Sequence, residues 1–358
     1  MKRAFNFNAG PATLPFAVLE KAKEAWLDFN GTGMALMELS HRSKDYEIVH
    51  NKAIASLRNI LSIPDDYEVL FLQGGASLQF SMIPMNLLKP DQTANYILTG
   101  SWSDKALKEA KKVGSTHVAA STKETGYHRI PELEEINLSE DAAYLHLTSN
   151  NTIFGTQWHQ YPNTQVPLIA DMSSDILSRP FQIEQFDLIY AGAQKNLGPS
   201  GVTVVIIRKE LIQSQPALPT MLNYETFAKN NSLYNTPPTL AIYLLSLVLE
   251  WVEENGGIEA ISKRNEEKSS LLYNMIDNSN GFYIGHADEK SRSHMNVTFN
   301  LKSEELSTKF LEEAKQIGFV GLNGHRSVGG CRASIYNAVP LEHVEALVSF
   351  MKNFKEKY

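Results

Sequence analysis

The stretch DLIYAGAQKNLGPSG, residues 187–201, runs from apolar residues into small ones and then presents Gln194 and Lys195 ahead of a Gly-Pro-Ser-Gly turn. Most lysines occupy solvated faces. An amine at the end of an apolar strand is partly desolvated instead, which lowers its pKa and leaves the neutral, nucleophilic form that imine chemistry requires. Upstream, VPLIADMSSDILSRP delivers Asp171 at the end of a second apolar run. Ligands of open α/β sheets collect at that carboxyl edge. A buried aspartate there either keeps a pyridine nitrogen protonated and its ring electron-poor, or caps the segment that follows.

Other segments carry weaker signals. QGGASLQ, residues 73–79, is a glycine turn between a strand and a helix whose backbone N–H groups can face an anion, although its spacing matches neither the dinucleotide fingerprint nor the Walker loop. Trp102 in TGSWSDKA could stack on a planar ring or simply pack in a core, and Thr152 in SNNTIFG offers a hydroxyl at the same sheet edge. Two basic clusters, His41 with Arg42 and His325 with Arg326 and Arg332, supply guanidinium forks suited to carboxylate or phosphate, or else decorate two solvated loops. No further His, Cys or acidic spacing completes a metal site around His41 or His325.

The elements that must position these residues follow from periodicity. Short β-branched or aromatic runs at 67–72, 94–100, 116–120, 143–147, 166–170, 188–191 and 202–207 alternate with helical patterns, one from about Leu78 and one through Ala106 and Ala110. This order predicts an α/β architecture: a large domain with a mostly parallel seven-stranded sheet flanked by helices. After Pro238 come helical patterns at 240–254 and 258–275, a strand at 296–301, a helix at 304–317 ended by Gly318, and a terminal helix at 342–354, a smaller α+β domain. The expected division is 16–260 for the large domain and 1–15 with 261–358 for the small one.

The bulk numbers narrow the function classes. A chain of 358 residues exceeds what one core usually organises. Its formal net charge of −7 argues against a nucleic-acid surface, so any anion site is a local cationic pocket. The longest apolar run, 240–249, is too short to span a bilayer, and the start carries no secretory pattern. One cysteine, Cys331, allows no intrachain disulfide, and a cytoplasmic protein is expected.

The segments FNFNAGPATLP, MELSHRSKDY, VLFLQGGASLQF, SNNTIFGT, ADMSSDILSRP, YAGAQKNLGPSG, YNTPPTLAIY and GHRSVGGCRASIYNA, in this order from end to end, resemble the phosphoserine aminotransferases of the class-V, fold-type-I pyridoxal-phosphate enzymes. The resemblance implies reversible ping-pong transamination between glutamate and 3-phosphohydroxypyruvate, giving O-phosphoserine and 2-oxoglutarate, with 4-phosphohydroxythreonine as a further substrate. It implies that pyridoxal 5'-phosphate is joined to Lys195, with Asp171 on the ring nitrogen, Trp102 on the ring face and Thr152 near the phenolic oxygen. Ala76, Ser77 and Gln194 would meet the cofactor phosphate, as would Asn235 and Thr236 from the neighbouring subunit of a homodimer. Arg332 would hold the α-carboxylate, and His41, Arg42, His325 and Arg326 would surround the distal phosphate or carboxylate. Two positions depart from relatives: Ser77 stands where many carry arginine, and Ala9 where some carry serine. The competing readings are another class-V enzyme, such as a serine:glyoxylate aminotransferase or a cysteine desulfurase, and a non-catalytic protein on the same fold.

Overall fold

The computed structural model describes residues 3–358, so residues 1 and 2 of the segment expected in the small domain lie outside the described residues. The seven anticipated runs become β1 (Tyr67–Leu72), β2 (Thr93–Leu98), β3 (Thr116–Ser121), β4 (Ala142–Thr148), β5 (Leu168–Asp171), β6 (Leu188–Gly192) and β7 (Thr203–Arg208). They form one sheet in the order β1-β7-β6-β5-β4-β2-β3. β7 is antiparallel to β1 and β6, and every other neighbouring pair is parallel.

Alternation along each strand sends side chains to two separate apolar layers: Phe71, Leu147 and Ala170 to one, Leu72, Tyr144 and Ile169 to the other. Burial on both faces explains why these strands read as continuous apolar runs. Each fully buried Leu or Phe contributes on the order of 1.5–3 kcal/mol to holding the layers together.

The longer helices are α1 (Phe16–Glu24), α2 (Lys44–Leu61), α3 (Gly75–Leu87), α4 (Ser101–Ala110), α5 (Thr239–Glu254), α6 (Gly257–Asp277), α7 (Glu304–Gln316) and α8 (Leu341–Lys357). α3 begins before the expected Leu78, because Gly74 takes a left-handed φ of 87° and starts the helix at once. A Cβ on Gly74 would come within 2.6 Å of Leu78, so only glycine fits there.

A second core gathers β8 (Tyr283–Gly285), β9 (Asn296–Leu301), β10 (Cys331–Ser334), α7, α8 and Phe7 from the N-terminal segment. β8 and β10 escaped the sequence reading because runs of three and four residues are too short to show a period. α6 reaches both cores: Ile258 and Ile261 pack under the large sheet, while Leu272 and Ile276 pack in the second core. Among the described residues, no helix is long and apolar enough to cross a membrane.

Candidate active site

The parallel strands all end at one edge of the sheet, and the residues just past those ends surround a cavity of about 320 Å³. β5 ends in Asp171, β6 leads to Gln194 and Lys195, β1 leads to Ala76 and Ser77, β2 to Trp102, and β4 to Thr152. From the second core, His325 and Arg332 close the opposite side. Nine expected residues, Ala76, Ser77, Trp102, Thr152, Asp171, Gln194, Lys195, His325 and Arg332, thus line one cavity.

The Lys195 Nζ donates to Thr152 Oγ1 at 2.7 Å. Burial pushes the amine down to about 8, against the opposing pull of Asp171 and with the help of the positive Arg332. A lysine so poised is partly neutral near physiological pH, as nucleophilic attack requires. Asp171 is pushed the other way: burial raises its carboxyl above the usual range, while bonds from Ser173 and the charge of Lys195 lower it. The Ser173 amide donates to Asp171 Oδ1 at 3.0 Å, fixing the carboxylate plane.

Arg332, on β10, donates from Nη1 to the Thr152 carbonyl at 3.2 Å, and burial lowers its pKa without threatening its charge. Lys105 stands 4.2 Å from the centre of the Trp102 ring. With Arg332 and Arg326 it also disfavours the protonated form of His325, whose pKa falls first through burial. The pocket is therefore cationic inside a chain whose net charge is −7.

A network of asparagines ties the two cores beside the lysine. Asn196 Oδ1 accepts from the Asn337 amide at 3.0 Å, and Asn337 Nδ2 donates to the Leu177 carbonyl at 2.9 Å. Asn265 of α6 donates to Asn337 Oδ1 at 2.8 Å.

The remaining five expected residues lie elsewhere. His41, Arg42, Asn235 and Thr236 do not line this cavity, and Arg42 and Thr236 are exposed. Arg326 is exposed on the loop that carries His325. Sequence reasoning also passed over Thr148, Asn150, Ser173 and Ser174, which line the cavity. The available signal was their position one to three residues from strand ends already singled out.

Residues 4–347 match the class-V aminotransferase family, to which the chain therefore belongs. It is 64% identical to the phosphoserine aminotransferase of Geobacillus kaustophilus, covering 100% of both chains. The solved phosphoserine aminotransferase of Bacillus circulans subsp. alkalophilus is 61% identical and superposes with a TM-score of 0.99, covering 100% of this chain and 99% of that one. A phosphoserine aminotransferase with bound PLP, from Trichomonas vaginalis, superposes with a TM-score of 0.92 at 40% identity, covering 98% of this chain and 100% of that one.

The cofactor is pyridoxal phosphate, and the residues present fit it. Trp102 Nε1 and Arg332 Nε are buried donors with no protein partner. Each unpaired buried donor costs about 1–3 kcal/mol, so both call for a polar ligand. The N-terminal turn of α3 adds unpaired backbone amides suited to a phosphate. No arginine is needed at Ser77 for that role.

Proposed function

We propose that the chain transfers an amino group reversibly between glutamate and 3-phosphohydroxypyruvate, giving O-phosphoserine for serine biosynthesis and 2-oxoglutarate. We extend this to 4-phosphohydroxythreonine in vitamin B6 biosynthesis. The observation that carries the reading is the meeting of Lys195, Asp171 and Arg332 around one cationic cavity.

Bound pyridoxal phosphate supplies an electrophilic carbon for the substrate amine and a ring that accepts the charge left when the α-proton departs. The chain's own residues do the rest. Lys195 Nζ, with its pKa near 8, takes the proton from the substrate α-carbon and would hand it on to the cofactor's former aldehyde carbon, not back to the α-carbon. Asp171 pairs with the ring nitrogen, and Arg332 binds the α-carboxylate through its guanidinium fork. Ala76, Ser77 and Gln194 would hold the cofactor phosphate at the α3 N-terminus, Thr152 would meet the phenolic oxygen, and Trp102 would cover the ring. His325 and Arg326 face the distal phosphate, and water fills the pocket when a γ-carboxylate takes its place.

A homodimer completes the site in this reading. His41 and Arg42, with Asn235 and Thr236, lie off the cavity of their own chain and serve a neighbour's. Exposed apolar side chains in the same N-terminal part of the chain support this: Trp26, Leu27 and Ile48 are 51%, 84% and 67% exposed, apolar surface suited to burial against a second copy. The meeting of two cores along α6 supports a division near residue 260, with residues 1–15 joining 261–358. The single, buried Cys331 is in keeping with a cytoplasmic location.

The desulfurase alternative needs a mobile, reactive thiol. Cys331 is wholly buried, and burial pushes its thiol up to about 12. A half-reaction titration tests the substrate assignment. Phosphoserine and phosphohydroxythreonine should bleach the visible band of the bound cofactor at concentrations where serine and alanine do not. Equal bleaching by serine would turn the assignment toward serine:glyoxylate chemistry, and a colourless protein toward a non-catalytic role.

A further inference from the structure

One buried polar group near the site has no part in the mechanism above. Tyr190 on β6 pairs in register with Asp171 on β5. Asp171 follows Ile169 by two positions and His146 follows Tyr144 by two, and Ile169, Tyr144 and Tyr190 share one apolar layer. Strand alternation therefore projects Asp171, Tyr190 and His146 from the same face of the sheet. Tyr190 is wholly buried and His146 is 1% exposed.

The His146 Nε2 lies 2.9 Å from the Tyr190 hydroxyl oxygen, and His146 Nδ1 has no partner. Burial keeps this imidazole neutral, pushing it down to about 3, so it carries a single proton. With that proton on Nδ1, a buried N–H would face only its own residue's backbone and find no well-aligned partner, at a cost of up to about 1–3 kcal/mol. With it on Nε2, only an acceptor is unpaired, which structures tolerate better. The second tautomer makes Nε2–H the donor and the Tyr190 oxygen the acceptor.

The tyrosine's own proton is then free for another acceptor. Asp171 is the carboxylate whose ionisation the Tyr190 hydroxyl perturbs, and the effect is mutual. No hydrogen bond of ordinary geometry joins the two in this structure; the donor stands ready for a charged carboxylate. Such support matters, because the charge of Lys195 helps Asp171 only while the amine is protonated, and the reaction needs it neutral.

We propose that Tyr190 and His146 are positioning residues for the transamination: the chain His146–Tyr190–Asp171 directs the tyrosine proton onto Asp171 and holds that carboxylate as an anion facing the ring nitrogen of bound pyridoxal phosphate. The inference rests on the cofactor site described above.

Tyr190→Phe keeps the ring and removes the hydroxyl. Reconstituted with cofactor carrying 15N at the ring nitrogen, the unaltered holoenzyme should show a protonated nitrogen, and Tyr190→Phe should shift that resonance toward the unprotonated form. Its kcat should fall about ten- to a hundredfold, the worth of a hydrogen bond to a charged group. KM for phosphoserine should hold within about twofold, since Tyr190 touches no substrate. N-methylated pyridoxal phosphate is cationic without help, so with it the two enzymes should differ no further. Should Tyr190→Phe not fold, His146→Leu carries the same comparison, with a smaller shift in the same direction. An unmoved 15N resonance, a rise in KM with kcat intact, or a deficit that persists with the N-methyl cofactor would each overturn the proposal. An unaltered chain that fails to react with phosphoserine would instead count against the substrate assignment.

Discussion

Lys195 and Arg332, from opposite cores, meet on one residue: the Lys195 amine donates to the Thr152 hydroxyl at 2.7 Å, and the Arg332 guanidinium donates to the Thr152 carbonyl at 3.2 Å. The amine proposed to move the proton and the fork proposed to hold the substrate are therefore tied to each other through one residue.

Thr152→Val removes the hydroxyl and keeps the carbonyl. We expect kcat to fall by about 0.5–1.5 kcal/mol in barrier terms, with KM for phosphoserine little changed. Steady-state kinetics checks this, and a change confined to KM would separate Thr152 from Lys195.

Lys195→Ala should purify with no cofactor that borohydride can fix to the chain, and without turnover. Mass spectrometry after reduction reads the first and a coupled assay the second. A retained covalent adduct would move the reactive lysine elsewhere.

The two arginines should separate by substrate. Arg332→Ala should cost about 2–5 kcal/mol in kcat/KM for every amino acid, because all share an α-carboxylate. Arg326→Ala should cost about 1–3 kcal/mol for phosphoserine and leave slow serine turnover almost untouched. Equal losses on both substrates would remove Arg326 from the distal pocket.

Lys268 predicts a pH effect on stability. It is 2% exposed, and its ammonium donates to the carbonyls of Ile335, Tyr336 and Val339 at 3.0, 2.7 and 3.2 Å. Those carbonyls favour the charged form and burial opposes it; burial prevails, pushing the amine from 10.5 down to about 7. Between these values the unfolded chain binds more protons than the folded one, so this group makes stability rise with pH across that window. Below about 7 both states are protonated and its contribution is constant. Urea unfolding of the apo chain between about pH 7 and 10 should show a slope shallower by up to about 1.4 kcal/mol per pH unit in Lys268→Met than in the unaltered chain. Parallel slopes would mean the ammonium survives burial.

Cys331 should resist thiol reagents until the chain unfolds, since it is wholly buried and its thiol is held near 12. Labelling at the rate of global unfolding is expected; fast labelling of the native chain would reopen the desulfurase reading.

What could be read without coordinates was what is local. Lys195 and Asp171 stood out because an ionisable side chain at the end of an apolar run contradicts its surroundings, and residues 73–79 because glycines there mark a turn between a strand and a helix. Tyr190 and His146 did not stand out, because aromatic residues in buried strands look like packing. Their significance depends on register between β5 and β6, which one strand alone does not encode. Ser173 and Asn150 were hidden for a similar reason: small polar residues near turns are common, and only convergence on one cavity distinguishes them. The β8 and β10 strands owe their form to pairing with β9, a tertiary effect that overrides their short sequences.

The asparagine strap between Asn196 and Asn337 has a consequence for how the molecule can be divided. A fragment ending after α6 would keep Lys195 but expose the polar edge that Asn337 now covers, and would lose the Arg332 guanidinium on the far side of the cavity. Catalytic competence in this chain is thus a property of the joined halves, and limited proteolysis within the 278–340 stretch should silence the enzyme even where the sheet survives intact.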